Sequence, residues 1–286
     1  MLWTSSGAFP YNRYITGSGD GGDWQEWYED SLILEGKKSG PLPIPTTEYK
    51  TSSDIPSLNA ITDPAYPRFD LEIPDQYRYD IWKAEFEHEE SANAFPDLTL
   101  IWLPDDHTGG APDPVAQAAD NDLALGRIAE TISHIKVWHE SAIFGVEDDT
   151  QNGVDHVDGH RGPAFVISPY SKGGVQDEYA TQLDMVRTVE QILGIQPMNQ
   201  EDHAAEPMYG AFTEQPNFSP YTAAPNEIPL TLGVPGYPST TSTTAATSGT
   251  GTMGTGTTPI GGPAATPGDD DHAGHDDAQA RRRAPV

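Results

Sequence analysis

Residues 98–149 read LTLIWLPDDHTGGAPDPVAQAADNDLALGRIAETISHIKVWHESAIFGVEDD. The stretch opens on a short apolar run, Leu98 to Leu103, and closes on another, Ala142 to Val146. Apolar runs of that length, bounded by turn residues, read as buried strands. Between them, Ala116 to Trp138 is long and sets Leu123, Ile128, Ile132 and Ile135 near one helical face. Downstream, GPAFVISPY at 162–170 reads as a third strand. ATQLDMVRTVEQILGI at 180–195 reads as a helix: Thr181 with Asp184 three residues on resembles a capping box, and Gly194 fits the stop. Upstream, PDQYRYDIWKAEFEHEES at 74–91 places Tyr77, Ile81, Trp82 and Phe86 near helical spacing behind an initial Pro. Strands and helices in this order predict an α/β fold. The first 70 residues are rich in Gly and Pro; GSGDGGDWQEWYED at 17–30 reads as a loop feeding a short helix, with Trp24 and Trp27 as packing residues.

Both apolar runs of the opening stretch end in polar clusters. Leu103 is followed, after Pro104, by Asp105, Asp106 and His107; Val146 is followed by Glu147, Asp148 and Asp149. In open α/β sheets ligands bind outside the carboxyl ends of strands, so parallel neighbours would bring the two clusters to one edge. The loop after the second cluster adds Asn152, Asp155, His156, Asp158, His160 and Arg161. Gathered carboxylates repel unless a proton or cation lies between them. Imidazole with carboxylate suits zinc, manganese or iron, and carboxylate alone suits magnesium or calcium. Aspartates at strand ends also cap turns, but two such clusters with histidines following favour a divalent-metal or catalytic site. His156 and His160 are four apart, yet Gly159, Gly162 and Pro163 argue against a helix there. The calcium-loop pattern fails, because the third position is Thr150 and the twelfth Gly159. His88, His134, His139 and His203 read as surface residues or as bystanders, and Thr108 as a turn residue. There is neither a G-x-S-x-G elbow nor a phosphate loop ending in Lys-Ser or Lys-Thr.

Composition narrows the classes. The 286 residues carry 15 Lys and Arg against 44 Asp and Glu, a formal charge of −29, and no Cys. Nucleic acid and anionic membrane surfaces require the opposite charge. Thiol catalysis and thiolate metal sites are excluded. No run of about 18 apolar residues spans a bilayer. Acid-rich, Lys-poor composition also suits a saline setting. Residues 1–238 read as the globular part. Residues 239–286 read as a disordered Thr/Gly/Pro-rich tail ending in DDDHAGHDD and RRR. The opening MLWTSSGAFPYNR lacks the basic-then-apolar layout of a secretory signal.

Three segments together carry a resemblance: LIWLPDDHTGG, then AADNDLALGRIAETISHIKVWHESAIFGVEDDTQNGVDHVDGHRGPAFVISPYSKGG, then MVRTVEQILGI. Over residues 63–212 the chain resembles bacterial phosphoesterases that group with phospholipase C and AcpA-type acid phosphatases in the alkaline phosphatase superfamily, some fused to a β-propeller. The resemblance implies a mixed or mostly parallel sheet between helices and a divalent metal (zinc, manganese, magnesium or calcium) at the strand ends. It implies hydrolysis of a phosphomonoester, phosphodiester or phospholipid by a hydroxyl nucleophile. It places metal ligands at Asp148 and Asp149, catalytic or phosphate-contacting groups at His107, His156 and His160, and substrate contacts at Asp106 and Arg161. The family's earlier strand ending in Glu-Asn and its Ser or Thr nucleophile have no counterpart here, so the chain is expected to correspond to the C-terminal half, with its remainder on a missing segment. Export to the periplasm or beyond is the family's habit. The alternative is a non-catalytic, degenerate protein that keeps a metal or phosphate site.

Overall fold

The computed structural model describes residues 16–18, 21–46, 50–148 and 161–237. Strand β1 (Thr16–Ser18) pairs antiparallel with β2 (Lys50–Ser52). Helix α1 (Trp24–Leu34) starts at Asp23, whose side chain accepts from the Glu26 amide while the Glu26 carboxylate reaches back to the Asp23 amide. A short α2 (Pro56–Asn59) follows. The expected helix behind Pro74 is α3 (Asp75–Ala92), ended by Asn93 in the left-handed region. Helix α4 (Pro114–Ser133) starts at Asp113, with a 3-10 turn (Lys136–Glu140) after it. Strands β3 (Ile143–Val146) and β4 (Ala164–Ile167), helices α5 (Gln182–Leu193) and α6 (Gln200–Ala204), and a last 3-10 turn (Tyr209–Ala211) complete the order.

The core lies on both sides of α3. Tyr79, Trp82 and Phe86 face Ala124 and Ile128 of α4, with Ile101, Leu103, Ile132 and Ile135 packed around them. Tyr77 turns the other way, onto Trp27 of α1, Ile44 and Ile73. A helix with apolar residues on two faces belongs between two partners, and α3 has them. Polar ties run through the same layer. Arg127 of α4 pairs with Glu35 just past α1 and, at 3.5 Å, with Asp80 of α3; the other Asp80 oxygen accepts from Ser31 at 2.7 Å. The Arg127 guanidinium also lies over the Tyr79 ring, 3.9 Å from its centroid.

The layout is mixed α/β, but two strand expectations change. Residues 98–103 form no strand. Their apolar side chains Ile101 and Leu103 do reach the core. Two of their carbonyls are taken by side chains instead of a neighbouring strand: Trp102 O accepts from the Tyr66 hydroxyl at 2.6 Å, and Leu103 O from Asn121 Nδ2 at 2.8 Å. The second change is direction. β3 and β4 pair antiparallel, with Ile143 opposite Ile167 and Val146 opposite Ala164. Adjacent antiparallel strands need only a loop between them, whereas parallel strands need a crossover of about a dozen residues, usually helical. Among the described residues both sheets are two-stranded and antiparallel, and no parallel sheet of alkaline-phosphatase type is present. No described helix is long and apolar enough to cross a membrane. The segment 239–286, read above as a tail, lies outside the described residues.

Candidate functional site

The turn after Pro104 is a single 3-10 turn, Asp105–His107. It is clamped from both sides. The Asp105 amide donates to Asp75 Oδ2 at 3.1 Å, and Thr108 N donates back to Asp105 O at 3.1 Å. Gln117, inside α4 and fully buried, accepts from the Gly109 amide at 2.9 Å and donates to the Gly109 carbonyl at 2.7 Å. Within this clamp Thr108 holds φ +52° and ψ 104°. A β-branched residue at positive φ is strained, and such strain persists only where the surroundings over-determine the backbone. The clamp presents Asp106 at the surface and sets His107 edge-on to the Phe69 ring, 5.5 Å between centroids. Phe69 in turn stacks on Trp102 at 5.0 Å. His107 thus stands beside an aromatic wall.

The antiparallel register brings the end of β3 to the start of β4. Glu147 N donates to Pro163 O at 3.3 Å, which keeps Glu147 and Asp148 near Arg161 along the chain's return. A Cβ on Gly162 would lie 3.2 Å from Glu147 Oε2, so a side chain there would crowd the carboxylate. Gln182, the first residue of α5, donates from Nε2 to the carbonyls of Glu147 at 2.9 Å and Asp148 at 2.7 Å. The N-terminus of α5, which favours negative charge, therefore abuts this strand end. Asp148 lies near enough for its charge to act on Asp106. Shielding by the surrounding protein first, and the Asp148 charge second, hold the Asp106 carboxyl above its ordinary range. The charge of Asp148 is felt at Asp106, although neither a strand before Asp106 nor a parallel pairing lies between them.

Directly beneath the turn lies a group the sequence reading missed. Asp75 at the start of α3, Asp105 of the turn and Asp120 of α4 are all buried, and one carboxylate oxygen from each lies within 4.8 Å of the others. Arg78 Nη1 is 3.2 Å from Asp75 Oδ1 and 3.8 Å from Asp105 Oδ1. Asp120 Oδ2 accepts from the Asp75 amide at 2.6 Å. Burial raises all three carboxyls, and Asp105 is pushed further by the charges of Asp75 and Asp120. The cluster has the spacing that could hold a metal ion. One signal for it stands in the sequence: Ala116, Asp120, Ala124 and Ile128 recur every four residues, so Asp120 sits in the buried stripe of α4. Asp105 stands in the first polar cluster after Leu103, whereas Asp75 carries no comparable mark.

Of the expected site residues, Asp106, His107, Asp148 and Arg161 are described, with Arg161 exposed. Asp149, His156 and His160 lie outside the described residues. Gln182, Gln117 and the Phe69–Trp102 wall were not foreseen. Comparisons with family models, with curated proteins and with solved structures found no match for this chain.

Proposed function

We propose that this chain carries the metal- and phosphate-facing part of a metal-dependent hydrolase of phosphate esters. The observation that supports the reading most is that the charge of Asp148 acts on the Asp106 carboxyl, so the two carboxylates belong to one acidic neighbourhood. Like charges so placed suit a divalent cation, and the neighbouring Asp149 adds a further carboxylate by sequence. Asp148 and Asp149 would hold the ion. When bound, a divalent ion neutralises charge on phosphoryl oxygens. Arg161 offers a planar fork of donors to phosphate. His107, held by the clamped turn, and His156 and His160 further along the sequence move protons or donate to phosphate oxygens. Asp106 orients the group bound between it and Asp148. The attacking hydroxyl is unassigned, and the substrate class spans phosphomonoesters, phosphodiesters and phospholipids.

The test is a titration of EDTA-stripped protein with manganese by calorimetry. Asp148→Asn is expected to weaken the surface site at least tenfold; an isotherm identical to that of the parent protein would overturn the assignment. The same acidic neighbourhood also fits a second reading, a cation- or phosphate-binding protein without turnover. Manganese-dependent release of p-nitrophenol from p-nitrophenyl phosphate supports the hydrolase. Vanadate binding with no ester cleaved by the full-length protein supports the second.

A further inference from the structure

We infer that Asp75, Asp105 and Asp120 form a buried binding site for one hard divalent cation, separate from the surface pair Asp106 and Asp148. The inference does not rest on the phosphoester reading. It starts from charge. Three fully buried carboxylates face a single guanidinium, that of Arg78, so that with all three ionised the interior would carry a formal surplus of two negative charges. Removing an ion from water costs several kcal/mol unless it is compensated locally. One divalent cation balances this surplus.

The second observation is independent of the clustering. Apart from a proton that Asp105 and Asp120 can share between them, neither carboxylate oxygen of Asp105 has a hydrogen-bond donor and Asp120 Oδ1 has none, although both side chains are wholly enclosed. Buried polar atoms without partners are uncommon in folded proteins. Three of them, on two carboxylates that face one another, mark a position where Arg78, 3.8 Å from Asp105 Oδ1, is the nearby cation and donates no hydrogen bond to them. Asp75 is fixed by other means. Its Oδ1 takes Arg78 Nη1, and its Oδ2 accepts from Asp105 N and from Asn121 Nδ2, each at 3.1 Å. It stands as the oriented third wall. Every ligand atom is oxygen, which selects calcium, magnesium or manganese over thiophilic metals.

The position gives the ion a purpose. Asp75 begins α3, Asp120 belongs to α4, and Asp105 opens the turn that carries Asp106 and His107. A cation there would join two core helices to the strained turn from below. It would support the surface site without touching a ligand bound above.

The experiment uses the whole chain, stripped with EDTA and unfolded by heat with calcium, magnesium or manganese chloride added in turn. At a concentration of about 100 times Kd, binding to the folded state alone raises Tm by roughly 5–10 °C for a chain of this size. Asp120→Asn is the informative variant, because its amide oxygen can still accept from the Asp75 amide. The part of the rise owed to the buried site is expected to be lost in Asp120→Asn, leaving only what the surface site supplies, and to persist in Asp148→Asn. No rise with any of the three ions, or an equal rise in Asp120→Asn and the parent, overturns the inference. Should Asp120→Asn fail to fold, calorimetry decides on a variant that combines Asp106→Asn, Asp148→Asn and Asp149→Asn, so that no carboxylate of the proposed surface site remains. One divalent ion still bound per chain supports the buried site, and none overturns it. Loss of surface binding in Asp148→Asn with the Tm rise intact leaves both sites standing, while an unchanged surface isotherm counts against the phosphoester reading alone.

Discussion

Arg127 serves two carboxylates at once, Glu35 and Asp80, and Asp80 lies almost wholly under the surface. Lys37 also pairs with Glu35, at 2.6 Å, so Asp80 shares Arg127 with a carboxylate that has a cation of its own. Burial is the chief reason the Asp80 carboxyl is pushed up to about 7, against the opposing help of Ser31 and Arg127. Free aspartate titrates near pH 4. Between about pH 4 and 7 the folded chain therefore keeps a proton that the unfolded chain has released. Stability from this group is full at the acid end, falls as the pH rises through that window, and levels off above it. Asp80→Asn keeps a neutral, hydrogen-bonding group in place. It is expected to shrink the loss of urea midpoint between pH 5 and 8 relative to the parent. Parallel profiles for the two proteins would show that Asp80 is ionised throughout.

Element by element, the chain was most legible where local chemistry decides the outcome. Helix α5 begins and ends at its predicted caps: Thr181 accepts from the Asp184 amide, Asp184 accepts from the Thr181 amide at 2.6 Å, and Gly194 takes φ +69°. The apolar spacing after Pro74 announced α3, and Trp24 and Trp27 are buried in and around α1 as expected. Strand pairing was not legible, because a strand is defined by its partner, which no local window contains. Residues 98–103 have the composition of a strand, yet Tyr66 and Asn121 take two of their carbonyls. At the site, motif residues could be named because they lie next to each other in sequence. The buried carboxylates come from three elements up to 45 residues apart and could not be named as one group. The cap of α5 matters to function through Gln182, which follows it and holds the carbonyls of Glu147 and Asp148. Thr181→Ala removes the hydroxyl of the box and is expected to cost about 1 kcal/mol by chemical denaturation. Thr181→Ser should recover most of that, and a neutral Thr181→Ala would mean the cap carries no stability.

At the scale of the whole molecule, the charge of −29 on 286 residues sets the sign of the salt response. Exposed pairs such as Lys38–Glu29 at 2.6 Å and Lys83–Glu87 at 3.1 Å contribute at most about 1 kcal/mol each, and salt weakens them. The buried ties of Arg78 and Arg127 are largely protected from salt. Against these few attractions stands the repulsion of an acid excess spread over the whole surface, which opposes the compact state. Repulsion outnumbers attraction, so screening should stabilise. The screening length falls from about 10 Å at 0.1 M salt to about 3 Å at 1 M. Most of the gain is therefore expected below about 0.5 M. With EDTA present to exclude divalent ions, Tm is expected to rise by roughly 5 °C between 0.05 and 1 M sodium chloride and then to flatten, equivalent to about 1–2 kcal/mol for a chain of this size. A rise that continues linearly to 3 M would be the signature of ion exclusion from apolar surface instead. A fall in Tm would mean that the few ion pairs outweigh the acid excess.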